Sequence, residues 1–373
     1  MDISSEMIHS LLPVFLVTVL HANVLYIGLI EGVAEAAALI SKTFSGALSD
    51  WLGKRKALAL AGYGLATLTK PMFAMANSVA VVFGARFLDR IGKGVRGAPR
   101  DALVADVTPV PLMGAAYGLR QSLDTAGAFM GPLLAMIIMT ATGNNFRTVF
   151  WVAVLPGFFA VSILTFGVRE PSIRSSESVR KPIRYSDVFR LSRSYWMVVM
   201  FGSLFTLARF SEAFLLLRAE SVGVAASLIP GVLVLMNLVY SLTAYPVGHL
   251  SDRLGRTGLV AIGLAVLIVS DLVLAATKTG WQVAGGAALW GLHMGLTQGL
   301  LAAMVADTAQ QNLRGTAFGV FSMAGGFSML IASLLAGWLW DKLGAPATFL
   351  AGASFAAAAL SGYLVLKKHI HSE

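Results

Sequence analysis

Gly46-Ala-Leu-Ser-Asp50-Trp-Leu-Gly53-Lys54 is met again 202 residues further on, as Gly248-His-Leu-Ser-Asp252-Arg-Leu-Gly255-Arg256. Two more stretches repeat at nearly the same distance. Ala102-Leu-Val-Ala-Asp106 returns as Ala303-Met-Val-Ala-Asp307, and Gly114-Ala-Ala-Tyr-Gly118 as Gly315-Thr-Ala-Phe-Gly319, both 201 residues on. Three matches at nearly one offset predict a chain made of two homologous halves in the same orientation.

The composition says what the halves are made of. Of 373 residues, 57% are hydrophobic and only 13% are charged, with no cysteine. A soluble domain is about 45–50% apolar and about 25% charged, and it could not hide this much apolar surface. Soluble enzymes, nucleic-acid modules and disordered chains are set aside. Lacking cysteine, the chain has no disulfide, Cys-ligated zinc or thiolate nucleophile. Nucleotide-binding loops and metalloprotease patterns are not evident. No enzyme activity, cofactor or metal is expected.

Apolar runs of spanning length recur along the whole chain: 1–20, 24–45, 56–76, 79–106, 113–140, 147–168, 193–216, 223–247, 257–277, 280–307, 314–339 and 345–366. Each fits the ~20 residues that a membrane helix needs. The expected fold is therefore an all-α membrane protein of twelve spans, with two parallel six-helix repeats around a central cavity. The halves are expected at 1–168 and 193–373, joined by a linker at 169–192. The run 11–20 is short and nothing basic precedes Asp2, Glu6 and His9, so a first helix lacking its start is expected.

The net charge of +9 is mostly loop charge. Lys54, Arg55 and Lys56, the linker's Arg169, Arg174, Arg180, Lys181, Arg184 and Arg190, then Arg253, Arg256, Arg314, Lys367 and Lys368 fall in alternate loops. The intervening loops are nearly bare. Because cytoplasmic loops collect Lys and Arg, both termini and the linker are expected in the cytoplasm. Lipid is the surrounding medium, and nucleic acid is not an expected partner.

These residues resemble the major facilitator superfamily. Gly46, Asp50, Gly53, Lys54 and Arg55 match its loop 2–3 signature, with Trp51 at the usual Arg position. Gly248, Asp252, Arg253, Gly255 and Arg256 match the second copy. Arg86-Phe-Leu-Asp-Arg-Ile-Gly92 is similar to the helix-4 motif, with Arg90 at a usual Gly position. Gly127-Ala-Phe-Met-Gly131-Pro132-Leu-Leu-Ala135 is similar to the helix-5 antiporter motif, with Ala in place of its last Gly. The resemblance implies a monomeric secondary transporter in the bacterial inner membrane, gated by the Asp50 loop. It also implies coupling to protons through Arg86, and export by antiport. The run Arg90 to Asp101 looks like that of a bacterial subfamily that includes proteins proposed to handle iron or siderophores.

Charges inside spans are the candidate site, because each costs ~2.5–3.5 kcal/mol at mid-bilayer. At 1.5 Å per residue from Asn77, Arg86 lies roughly 13 Å deep. Arg90 and Lys93 follow on the same face, with Asp89 beside Arg86 and one turn from Lys93. Arg96 and Arg100 are expected to snorkel to the surface. Glu31 and Glu35 are one turn apart, so one must be protonated or both must meet cations. Arg120 and Asp124 can pair within their helix, as structural glue or as coupling groups. Arg209, Glu212, His293 and Gln298 are the second half's candidates; His293 reads more readily as a satisfied polar residue than as a ligand. Asp106 and Asp307 cap helices or serve gates.

A basic face around Arg86, Arg90 and Lys93 suits an anionic solute, moved against protons exchanged on carboxylates. Two other readings stay open. One is uptake of an anionic or metal-chelate solute; the other is a receptor or assembly protein that keeps the fold without turnover.

Overall fold

The structure, a computed structural model, describes residues 1–52, 54–168, 190–254, 256–310 and 313–370. Among these residues there is no strand. In the first half, α1 (Asp2–His9) and α2 (Leu12–Thr18) form one broken span. They are followed by α3 (Val24–Leu52), α4 (Arg55–Met75), α5 (Val79–Val107) and α6 (Met113–Ala141). The sixth span is α7 (Phe146–Val152) and α8 (Val154–Ser162), continued by a π turn at Ile163–Gly167. In the second half, α9 (Arg193–Ala208) and α10 (Ala213–Ser221) again form one broken span. Then come α11 (Gly231–Leu254), α12 (Arg256–Ala276), α13 (Gly280–Thr308), α14 (Arg314–Leu343) and α15 (Ala345–Ile370). The twelve expected spans are all present, six in each half.

Only seven stretches among the described residues are long and apolar enough to cross a membrane by those two measures alone. For two of the others the physical reason is plain. Helix α5 carries Arg86, Asp89, Arg90, Lys93, Arg96, Arg100 and Asp101, and α1–α2 is broken. Such charge is tolerable only when it faces protein or a water-filled space.

Two boundaries differ from expectation. The loop 2–3 signature lies on helix ends, because α3 runs on to Leu52 and α4 restarts at Arg55. The eighth span starts at Gly231 rather than near 223, because Val222–Pro230 is spent in turns.

The first span of each half breaks at the same place in the repeat. Ser10–Leu11 interrupts the first, and Arg209–Glu212 the second. Ser10 and Ser211 are 201 residues apart, which is the repeat offset. Pro13, in the first turn of α2, has no N–H to offer across its break.

The halves meet along glycine seams. A side chain on Gly28 would run into the Ser333 carbonyl, and one on Gly337 would lie 2.8 Å from the Val24 carbonyl. Glycine lets α3 and α14 approach backbone to backbone, the usual means of packing helices in lipid. Asp341 on α14 caps α3 from the other half. Its carboxylate accepts the Val24 and Leu25 N–H groups at 3.1 and 2.9 Å. A second seam joins α6 to α11. Pro132 cannot donate to the Ala128 carbonyl four residues back. The amide of Asn237 donates to that freed oxygen at 3.2 Å.

Removing an N-cap carboxylate costs ~1 kcal/mol, about fivefold in a closing equilibrium. Asp341→Ala should therefore open this end of the α3–α14 seam about fivefold more often. Ser333→Cys, in a chain with no other cysteine, reports this through its maleimide labelling rate. An unchanged rate would show that the cap does not hold the halves together.

Candidate functional site

Helix α5 is the post around which the first half is built, because its buried charges dictate their neighbours. Arg86 is 1% exposed. Its Nη2 donates to Glu31 Oε2 at 2.8 Å and to His9 Nδ1 at 2.7 Å. A guanidinium cannot accept a hydrogen bond, so His9 Nδ1 is the acceptor and the ring's remaining proton is on Nε2. The three side chains tie α5, α3 and α1 together.

One turn further along, Arg90 Nε lies 3.3 Å from Glu35 Oε1. This is an ion pair whose N–H is not aimed at the oxygen, because Arg90 Nε has no hydrogen-bond partner. Arg90 is 2% exposed, but the Glu35 side chain is 30% exposed and reaches water.

Asp89 corrects the expected arrangement. It pairs neither with Arg86 nor with Lys93 but with Lys70 of α4, at 2.7 Å. Lys70 also donates to Ser5 Oγ at 3.0 Å. Arg96 is corrected as well: rather than snorkelling it is buried, 3.2 Å from Asp2 and 4.9 Å over the Tyr63 ring. Near the basic end, Arg120 and Asp124 pair within α6 at 2.9 Å. Arg100 and Asp101 of α5 join them at 3.3 and 3.1 Å. Arg55 meets Asp106 at 3.0 Å, which ties α4 to α5.

The antiporter-type glycines set where α1 lies. A Cβ on Gly127 would stand 2.9 Å from the Asp2 Cβ, and one on Gly131 2.6 Å from the Glu6 Cβ. Helix α1 therefore sits in the groove of α6, and Glu6 is held half-buried beside α5. Its neighbours in charge are Lys93, Arg90, Asp2 and Arg86. Lys93 is exposed, yet the charges of Glu35 and Glu6 reach it.

From the second half, the α9–α10 break supplies Arg209 and Glu212, both half-buried. Glu212 lies within electrostatic reach of Arg209, and also of Glu6, Glu35 and Lys93 across the halves. Tyr240 of α11 lies within reach of Arg209 and Glu212. His293 stands behind them. Its Nδ1 bonds the Gly263 carbonyl at 2.8 Å, its ring lies against Phe205, and its Nε2 has no partner. Asp271 of α12 is buried with neither oxygen hydrogen-bonded, packed toward Gly352 and Phe210.

The structure thus brings Glu35, Lys93 and Arg209 within electrostatic reach of Glu212, with Arg90 against Glu35. It locks Glu31, Arg86 and Asp89 into buried pairs, and leaves Arg120 and Asp124 at the basic end. Gly46 packs against Ala98 of α5, 3.3 Å from where its Cβ would be. Gly248 lies on α11, Gly53 and Gly255 lie outside the described residues, as do the side chains of Asp50, Asp252, Arg253, Arg256 and Gln298, and Lys54 is exposed. The start of the first span offers Asp2 and Glu6 as complementary charges from the sequence alone, but sequence reasoning missed Lys70 and His9 as members of this network. Placing the break of one half onto the other at the 201-residue offset brings Arg209–Glu212 onto residues 8–11, which include His9.

Removing one partner of a buried pair costs about 3–5 kcal/mol, whereas replacing both with apolar groups is near neutral. Lys70→Met or Asp89→Leu alone should sharply lower the thermal midpoint in detergent, and the double variant should recover most of the loss. Equal losses in all three would show that the pair is not what holds α4 to α5.

With this geometry in view, comparison with known proteins assigns the family. The Major Facilitator Superfamily model matches residues 1–218 and again 212–372. An MFS-type transporter of Methanocaldococcus jannaschii, MJ1317, is 33% identical over 98% of this chain and 91% of its own. The gentisate transporter of Corynebacterium glutamicum is 26% identical over 92% of this chain and 80% of its own. Among solved structures, the nucleoside transporter NupG superposes with a TM-score of 0.78 over 98% of this chain and 96% of its own, at 13% identity. The chain is an integral membrane protein and a secondary transporter rather than an enzyme, and it belongs to the major facilitator superfamily.

Proposed function

We propose that the chain is a proton-coupled transporter that exports a small solute bearing a negative group, exchanging it for protons. The halves 1–168 and 193–373, joined by 169–192, rock about the space between the two broken spans. The observation that carries this reading is the convergence of charges from both halves. Glu6, Glu35 and Lys93 come from one side and Glu212, with its neighbour Arg209, from the other, all within reach of Glu212. Lys93 and Arg209 anchor the solute's anion.

Among the carboxylates, Glu35 is the one suited to carry the proton. Glu31 and Asp89 are sealed behind Arg86 and Lys70, and a sealed acid cannot exchange with water on each cycle. Glu35 meets water and holds Arg90 by a misaligned contact. Protonating it removes the counter-charge of a buried guanidinium. The arrangement that relieves that imbalance is then favoured, which is how a ligand biases one of two states. Export is supported by the antiporter-type glycines, since Gly127 and Gly131 are what place α1 and Glu6. The loop charges support cytoplasmic termini.

Glu35→Gln should leave exchange of solute across proteoliposomes within about twofold of normal, while accumulation driven by a pH gradient falls about tenfold or more. Gradient-driven accumulation at the normal rate would remove Glu35 from the coupling role.

A further inference from the structure

The charges within reach of one another across the halves are of both signs. Glu6, Lys93, Arg209 and Glu212 form no ion pair within 4.0 Å among the described residues, unlike the charges on α5 around them. Lys93 is exposed and the other three half-buried, so water reaches all four. Each half contributes one cation and one anion. In the first half they are Lys93 and Glu6, which feel each other. In the second they are Arg209 and Glu212, either side of Phe210 and Ser211 in the break.

A charge left open in a partly dry site must be met by the ligand that displaces its water, or the ligand binds poorly. A simple anion would satisfy Lys93 or Arg209. It would also bring its charge against Glu6 and Glu212, and like charges in such a site exclude the wrong ligand. A simple cation meets the mirror problem. A molecule with both charges satisfies one pair without opposing the other. If it spans the space, its two ends engage the two halves.

We propose that the solute is a small zwitterion carrying a carboxylate and an amine, the carboxylate meeting Lys93 or Arg209 and the ammonium meeting Glu212 or Glu6. This rests on the transport reading above and narrows its substrate from an anion to an amino acid-like molecule.

The test uses purified full-length protein in proteoliposomes and solutes in triads that share a carbon skeleton. One triad is phenylalanine, phenyllactate and phenethylamine; another is leucine, 2-hydroxyisocaproate and isoamylamine; a third is alanine, lactate and ethylamine. In at least one triad the zwitterion should move about tenfold faster than its acid or amine. Glu212→Gln should reduce the preference for zwitterion over acid about tenfold, and Arg209→Gln the preference over amine, while Glu212→Asp should keep both. Because ratios are read, a general loss of folded protein does not mimic the result. Acids or amines moving as fast as the zwitterions would overturn the inference and leave the transport reading intact. If no member of any triad moves, and the protein dissipates no imposed pH gradient, both readings fall.

Discussion

Buried charge on α5 is the constraint on which the first half depends. Leaving even one such charge unpaired in a membrane bundle would cost several kcal/mol, so its partners must be supplied by other helices. Helix α1 supplies Asp2 and His9, α3 supplies Glu31 and Glu35, and α4 supplies Lys70. Each pair fixes the rotation of the helix that provides it. Apolar contacts in lipid give little preference for one rotation over another, since lipid tails are as apolar as leucine. The charges therefore specify the first half, and the close glycine contacts at Gly62–Gly92 and Gly131–Glu6 let the helices come near enough to meet them.

The second half solves the same packing problem differently. Its core is apolar and aromatic, with Phe210, Phe214, Trp290, Trp340 and Phe349 in ring contact. Among the described residues its buried charged side chains are Arg218 and Asp271, and Arg218 is met by backbone carbonyls, donating to Leu274, Ala275 and Thr277. The two halves share a repeat in sequence and a break in their first span, but not the chemistry that holds them. The break is what they have in common at the centre. Interrupted helices leave backbone groups and nearby side chains free to face a ligand, as in other transporters whose sites lie at unwound segments.

The fold was legible because spanning length, loop charge and the 201-residue repeat are properties of the linear chain. The Arg120–Asp124 pair was legible for the same reason, being one helical turn apart. Partners on different helices were not. Asp89 has Arg86 and Lys93 near it in sequence but turns to Lys70, because helix rotation decides which residues meet. Arg96 looked like a snorkelling side chain by depth alone; Tyr63 and Asp2 hold it inside. Glu6 was legible as a charge of the first span, but the groove at Gly131 that seats it was not.

The same distinction separates what can move from what cannot. A pair such as Lys70–Asp89, dry and at 2.7 Å, is a poor switch, since parting it exposes two charges with nothing to replace the bond. Contacts that change must have nearly equal alternatives in both states. The glycine seams at α3–α14 meet this condition, because backbone sliding over backbone exchanges one set of dispersion contacts for another. So does Asn237 on the Ala128 carbonyl, where water can take the donor's place at little cost. The rigid first half then acts as a body whose inner charges are fixed. In the proposed mechanism its motion relative to the second half is governed by the seams and by the open charges near the two breaks, where a bound solute would act on both halves at once.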